Sequence, residues 1–161
     1  MHNSDNQSIF NRLEALFAQL FSAERVYGTL VTSDRHPSKR DYFKHRYFQY
    51  SSFAAILKHE ILAVTDQVAS PDVPKTDRLI LNDLENSLLE RPLTGTEVDE
   101  LIVKAEKKLI LKYQELLAYT DLPNTTNAIL QSQAEELNNE WQKLKSNLEI
   151  EIHQDNSLSA L

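Results

Sequence analysis

The chain has 161 residues, with two glycines, five prolines, no cysteine and a net charge of −7. A globular domain averages roughly 7% glycine, or about eleven in this length. So few residues free to adopt positive φ argue against sandwiches, barrels, Rossmann-type folds and phosphate-cradling loops, and leave long helices with few connections. The missing cysteine removes disulfides, thiol catalysis, iron–sulfur clusters and thiolate zinc sites.

Apolar residues at helical spacing begin at once: Ile9, Leu13, Leu16, Phe17, Leu20, Tyr27, Leu30 and Val31. They predict a helix over 8–32 with Ser8 as a cap. A second stripe runs Phe43, Tyr47, Tyr50, Phe53/Ala54, Leu57, Ile61, Val64 and Val68. It predicts a helix over 38–69 capped by Ser38 and ended by Pro71 and Pro74. A short helix over 76–89 follows, with Leu79, Ile80, Leu84, Leu88 and Leu89 on one side. Thr96 with Asp99 at N3 predicts the start of a third long helix over 96–120, on Val98, Ile102, Ala105, Leu109, Tyr113 and Leu116/Leu117. A fourth, over 125–152, carries Ile129/Leu130, Ala134, Leu137, Trp141, Leu144 and Leu148, ahead of a polar tail at 153–161.

This pattern predicts one all-α domain over 1–161, a four-helix bundle of two antiparallel hairpins. The middle connection, about 25 residues with its own short helix, is long enough to travel back along the bundle instead of turning on the spot. That crossover is the ferritin-like arrangement. Gly95 opens the third helix. Gly28 lies inside the first, where a glycine costs about 1 kcal/mol against alanine, and so predicts a close approach by a neighbouring helix or ring.

Polar residues interrupt the apolar stripes at Glu24, Glu106 and Gln133, flanked by Glu136 and Glu140. A buried carboxylate is costly unless it is paired, hydrogen-bonded or metal-bound. The expected solution is a buried polar layer of Glu24, Tyr27, Tyr47, Tyr50, Glu106, Tyr113 and Gln133. The competing solution is a metal site on Glu24, Glu106 and Glu136, with iron or another divalent ion. A bundle metal centre uses a lone Glu from each of two helices and a Glu-x-x-His pair from each of the others. The lone acids are present, but no Glu-x-x-His occurs in the chain. No cofactor is therefore expected.

The segments Ala23-Glu24-Arg25-Val26-Tyr27, Lys39–Phe43, Phe53-Ala54-Ala55-Ile56-Leu57, Ala105-Glu106-Lys107-Lys108 through Tyr113, and Asp121-Leu122-Pro123 with Leu130, Gln133 and Glu136 resemble a bacterial family. It comprises the uncharacterised ferritin-like four-helix proteins known as domain of unknown function 2383, and the likeness covers roughly residues 8–150. The resemblance implies the bundle fold, with Glu24 and Glu106 at the positions of the superfamily's lone acidic ligands. Where the second helix of that family usually carries an Arg before its Phe-Ala-Ala-like stretch, this chain has Tyr50.

Other chemistry finds less support. None of His2, His36, His45, His59 and His153 lies three or four residues from another, so no pair has metal-ligand spacing; His45 and His59 are expected at the surface. A Ser/His/Asp site has no glycine-rich elbow. Lys107 and Lys108 read as a solvated face. Residues 35–48 mix basic and aromatic side chains, which suits phosphate contact and base stacking. A solvated face is nevertheless favoured there over nucleic acid, with Tyr42 and Phe48 expected to be exposed. Residues 1–58 carry eight basic and five acidic residues and ten of thirteen aromatics, whereas 59–161 carry nine basic and nineteen acidic. The aromatic load of the first hairpin predicts a homo-oligomer, with a protein partner also possible. The start of the chain has no basic and apolar leader, and no apolar run reaches the ~18 residues of a membrane span. A cytoplasmic protein without membrane contact is expected. The leading expectation is a non-catalytic, self-associating interaction or stress-related module; the alternative is a divergent di-iron-like metal–carboxylate protein.

Overall fold

A computed structural model describes residues 3–72, 79–119 and 121–159, with side chains placed for 5–72, 79–119 and 121–154. The described residues form five α-helices and one 3-10 turn: α1 (Asn3–Thr32), the turn Pro37–Lys39, α2 (Arg40–Thr65), α3 (Ile80–Glu90), α4 (Gly95–Leu117) and α5 (Asn124–Ser159). Pro74 and residues 76–78 of the expected short helix, and His2, lie outside the described residues.

The chain order of contacts gives the topology. α1 and α2 form one antiparallel hairpin, joined at one end by a short turn and at the other by Asn6 Nδ2 donating to the Thr65 carbonyl at 3.1 Å. α4 and α5 form the second. Between them the chain runs back along α1, and its partners on α1 climb in order. Gln67 bonds Gln7, the Ser70 N–H bonds Glu14, the Ile80 N–H bonds Gln19, Ser22 and Arg25 bond Asn82, Arg25 pairs with Glu85, and His36 bonds the Leu88 carbonyl. The connection thus returns to the α1–α2 turn, where Lys39 meets Asp99 of α4 at 2.7 Å. α4 therefore runs parallel to α2 and antiparallel to α1. α5 runs antiparallel to α2, with Thr126 bonded to Glu60 at one end and His45 to Glu140 towards the other.

Helix ends follow local chemistry, and in places they depart from the spacing. α1 begins at Asn3, which puts Ser8 inside the helix. Pro37 and Ser38 form the 3-10 turn, so Ser38 does not cap α2. α2 stops at Thr65, because Asp66 adopts the left-handed conformation (φ 57°) and its N–H closes on the Leu62 carbonyl. The chain turns there, which leaves Val68 65% exposed outside the expected stripe. α4 is capped by Thr94, not Thr96. Thr94 Oγ1 accepts from the Glu97 N–H, and Glu97 accepts from the Thr94 N–H, a reciprocal capping box. The backbone bond from Thr94 holds the Glu97 carboxyl below its usual range. Thr94→Ala is expected to lower stability by about 1 kcal/mol, read as a shift in the urea midpoint at unchanged slope. α5 remains helical through Ser159, beyond the expected start of the tail.

The core combines Leu13, Leu20, Leu30, Phe43, Leu57, Ile61, Leu81, Leu88, Ile102, Leu109, Leu130 and Leu137 from all five helices. α3 has its own buried face (Leu81, Leu84, Leu88) and packs against both α1 and α4. Gly28 lies directly under the Tyr47 ring, whose Cδ2 and Cε2 would stand 3.2 Å from an added Cβ. That is the close approach a mid-helix glycine implies. Among the described residues no helix is long and apolar enough to cross a membrane.

Candidate functional site: a buried arginine–glutamate–tyrosine cluster

The polar centre of the molecule is built on Arg46. It sits on the inner face of α2, three residues after Phe43 and four before Tyr50, and is 1% exposed. Its guanidinium forks between two helices, with Nη2 2.6 Å from Glu106 Oε2 on α4 and Nη1 2.7 Å from Glu140 Oε2 on α5. Nη1 also donates to Gln49 Oε1, and Nη2 to the Tyr50 hydroxyl at 3.2 Å. Its Nε has no partner among the described residues. Burial alone would favour loss of the proton, but the adjacent Glu106 outweighs it and holds Arg46 firmly cationic.

Glu106 is equally buried, at 1% exposure, and takes three donors. Tyr27 of α1 donates to Oε1 at 2.6 Å, while Tyr50 donates to Oε2 alongside Arg46. The two phenol rings stack, with centroids 5.8 Å apart and planes 5° from parallel. One carboxylate thus gathers groups from α1, α2 and α4. Glu140 closes the cluster on the α5 side, where it also meets His45 Nε2 at 2.7 Å. Partial burial pushes its carboxyl up, but the His45 bond and Arg46 prevail and hold it below its usual range. Charge-assisted hydrogen bonds from one guanidinium to two carboxylates, with further donors on each, offset much of the cost of burying the charges.

Of the expected layer, Tyr27, Tyr50 and Glu106 come together. Tyr113 and Gln133 form a separate pair nearby. The Tyr113 hydroxyl donates to Gln133 Oε1 at 2.7 Å, and Gln133 Nε2 donates to the Phe53 carbonyl. Glu24 and Tyr47 do not join either group. Both are half-buried and line an open groove of about 460 Å³ between α1 and α2, with Phe21, Arg25, Gly28, Thr29 and Thr32. The reason is rotational. Arg46 and Tyr50 occupy the inward face of α2, which turns Tyr47 onto Gly28 and away from the centre. Glu136 is exposed and bonds only Gln49 among the described residues. The three candidate metal carboxylates therefore point to three different places, and among the described residues no three His, Asp or Glu side chains are grouped to hold a metal ion. A dinuclear metal centre does not fit these residues, because the central carboxylate is already neutralised by a guanidinium.

Arg46, Glu140 and Gln49 are the site residues that the spacing argument missed. The signal existed: Phe43, Arg46, Tyr50, Phe53 and Leu57 keep the three–four rhythm, which Tyr47 follows equally well. The basic–aromatic stretch is dispersed accordingly. Arg46 is central, Lys39 binds Asp99, and Arg40 holds the Val31 carbonyl. Tyr42 is half-buried, 6.5 Å from the Tyr27 ring and beneath Arg46, whereas Phe48 is 59% exposed. His45 and His59 are exposed. Lys107 lies over the Trp141 ring at 4.7 Å. No protein-family model matches the chain, and neither a curated protein nor a solved structure matches it.

Proposed function

We propose that this chain is a ferritin-like four-helix bundle that acts as a non-catalytic, self-associating interaction module. The observation that carries the reading is Arg46. In a carboxylate-bridged metal bundle the inward side chains at the centre supply negative charge and imidazole for divalent ions. Here the same level carries a buried cation, with Glu106 and Glu140 as its counter-ions and two phenols donating to Glu106. Such a cluster ties four long helices together at one height. The return of the connection along α1 supports the ferritin-like topology, and the exposed apolar side chains of the first hairpin support self-association.

Two measurements test this. Protein purified without chelator and titrated with ferrous iron is expected to bind no stoichiometric metal. About two ions per chain, lost on Glu24→Ala, would overturn the non-catalytic reading in favour of the divergent metal–carboxylate protein. Light scattering at high protein concentration is expected to give twice the chain mass of 18.5 kDa; a monomer would overturn self-association.

A further inference from the structure

The outer face of α2 is patterned for a copy of itself. Phe48, Ala55 and Leu62 follow one another at intervals of seven, a spacing that keeps a line along one side of a helix and drifts by only ~20° per step. All three are exposed, Phe48 by 59% and Leu62 by 44%. Ser51 and Ser52 before Ala55 keep the centre of the line small, so a second helix can approach closely there. The line is symmetric about Ala55: a large apolar residue stands seven positions on either side.

The charges obey the same symmetry. Lys44 precedes Ala55 by eleven residues and Asp66, the residue that closes the helix, follows it by eleven, and both are exposed. Gly28 abuts Tyr47 in the antiparallel hairpin, which puts Glu24 of α1 level with about residue 51 and Phe21 level with about residue 54. Lys58, three positions beyond Ala55, leans to the α1 side, as does Glu24. None of Lys44, Asp66, Lys58 and Glu24 forms an ion pair with a described residue of its own chain.

Building on the self-association proposed above, we propose that this face binds a second copy of the chain. The two α2 helices run antiparallel across a two-fold axis at Ala55. In an isologous contact residue i meets j and j meets i. Phe48 then packs on Leu62 of the second copy, Ala55 on Ala55 and Phe21 (42% exposed) on Phe21. Lys44 faces Asp66, and Lys58 faces Glu24. A parallel pairing would instead set Lys44 and Lys58 each against its own kind, which charge disfavours.

The absence of native cysteine makes the test direct. Under mild oxidation Ala55→Cys is expected to convert most of the chain to a disulfide-linked dimer, whereas Lys104→Cys on α4 does not cross-link. Phe48→Glu with Leu62→Glu is expected to halve the light-scattering mass while leaving the helical circular dichroism unchanged. Lys58→Glu is expected to weaken the dimer about tenfold, and adding Glu24→Lys to restore it. A dimeric wild type in which Ala55→Cys stays unlinked and the Phe48/Leu62 variant stays dimeric would overturn this face while leaving self-association standing. A monomeric wild type would overturn both.

Discussion

Glu106→Ala is expected to destabilise the protein by about 3–5 kcal/mol, the range for removing one partner of a buried ion pair. In a chain of this size that corresponds to a fall in Tm on the order of 10 °C. The expectation follows from what the substitution strands. Arg46 is 1% exposed and keeps only Glu140, itself at the solvent edge, as counter-ion. The Tyr27 and Tyr50 hydroxyls lose the acceptor they share. Glu106→Gln keeps one acceptor oxygen, enough for one of the two phenols, while losing the charge, so its loss should be smaller. The cluster also predicts a sign of coupling. Arg46→Met combined with Glu106→Gln should be more stable than Glu106→Gln alone, because it removes a buried cation that the Glu106 change has left with Glu140, at the solvent edge, as its counter-ion. Urea unfolding of the four proteins measures this cycle. A Glu106→Ala loss below about 1 kcal/mol would mean that water reaches the pair and that it does not tie the helices together.

The same cluster explains what the amino-acid order discloses and what it conceals. The long helices are legible because burial imposes a three–four rhythm, which Leu13, Leu20, Leu57, Ile102, Leu109 and Leu137 satisfy with residues of one chemical kind. The return path of the connection is legible from its length, since a simple turn needs only a few residues. Gly28 is legible because its cost in a helix requires a steric reason. Helix ends are less so. Thr94 with Glu97 and Thr96 with Asp99 are both well-formed cap signals two residues apart, and only the direction from which the chain enters decides between them. Asp66 stops α2 through a backbone conformation that a non-glycine residue seldom adopts. The centre is hardest to read. An arginine on a helix is normally a surface residue, so Tyr47 is the natural candidate for the inward position and Arg46 the natural one to discard. What reverses the choice is Glu106 on a helix sixty residues later. Its buried charge needs a cation, and pairing between distant helices leaves no mark in local periodicity. Glu24 shows the converse: an acid on an apolar stripe escapes burial because a small rotation of α1 carries it to the groove over Gly28.

The phenols around that centre set the behaviour of the protein in alkali. Burial first, and the negative charge of Glu106 second, hold Tyr27, Tyr50 and Tyr113 in the protonated form well above the usual range for tyrosine. Burial does the same for Tyr42, against the opposing pull of Arg46. In the unfolded chain these groups ionise near the ordinary value of about 10. Above that pH the unfolded state releases protons that the native state retains, so it binds fewer protons and gains stability relative to the fold as pH rises. The contribution of the four phenols is therefore intact below pH ~10 and is lost progressively above it. Each retained proton contributes about 1.4 kcal/mol per pH unit, so four together remove roughly 5 kcal/mol per unit once the unfolded chain is fully ionised. A total stability on the order of 5–15 kcal/mol is then exhausted within about one to three units. Unfolding should be steep, and the phenolate absorbance of these four tyrosines should rise together with the loss of helical circular dichroism. Tyr50→Phe removes one of the four protons and should make the decline with pH about a quarter shallower. At the acid end the corresponding group of the cluster is Glu140, whose lowered carboxyl stabilises the fold above its unfolded value and ceases to do so as pH falls through the folded one. It stands at the solvent edge, so that decline should be gentler than the alkaline one. If all six tyrosines ionised near pH 10 while the helices persisted, the phenols would have to be open to water, and the buried cluster around Arg46 could not exist in solution.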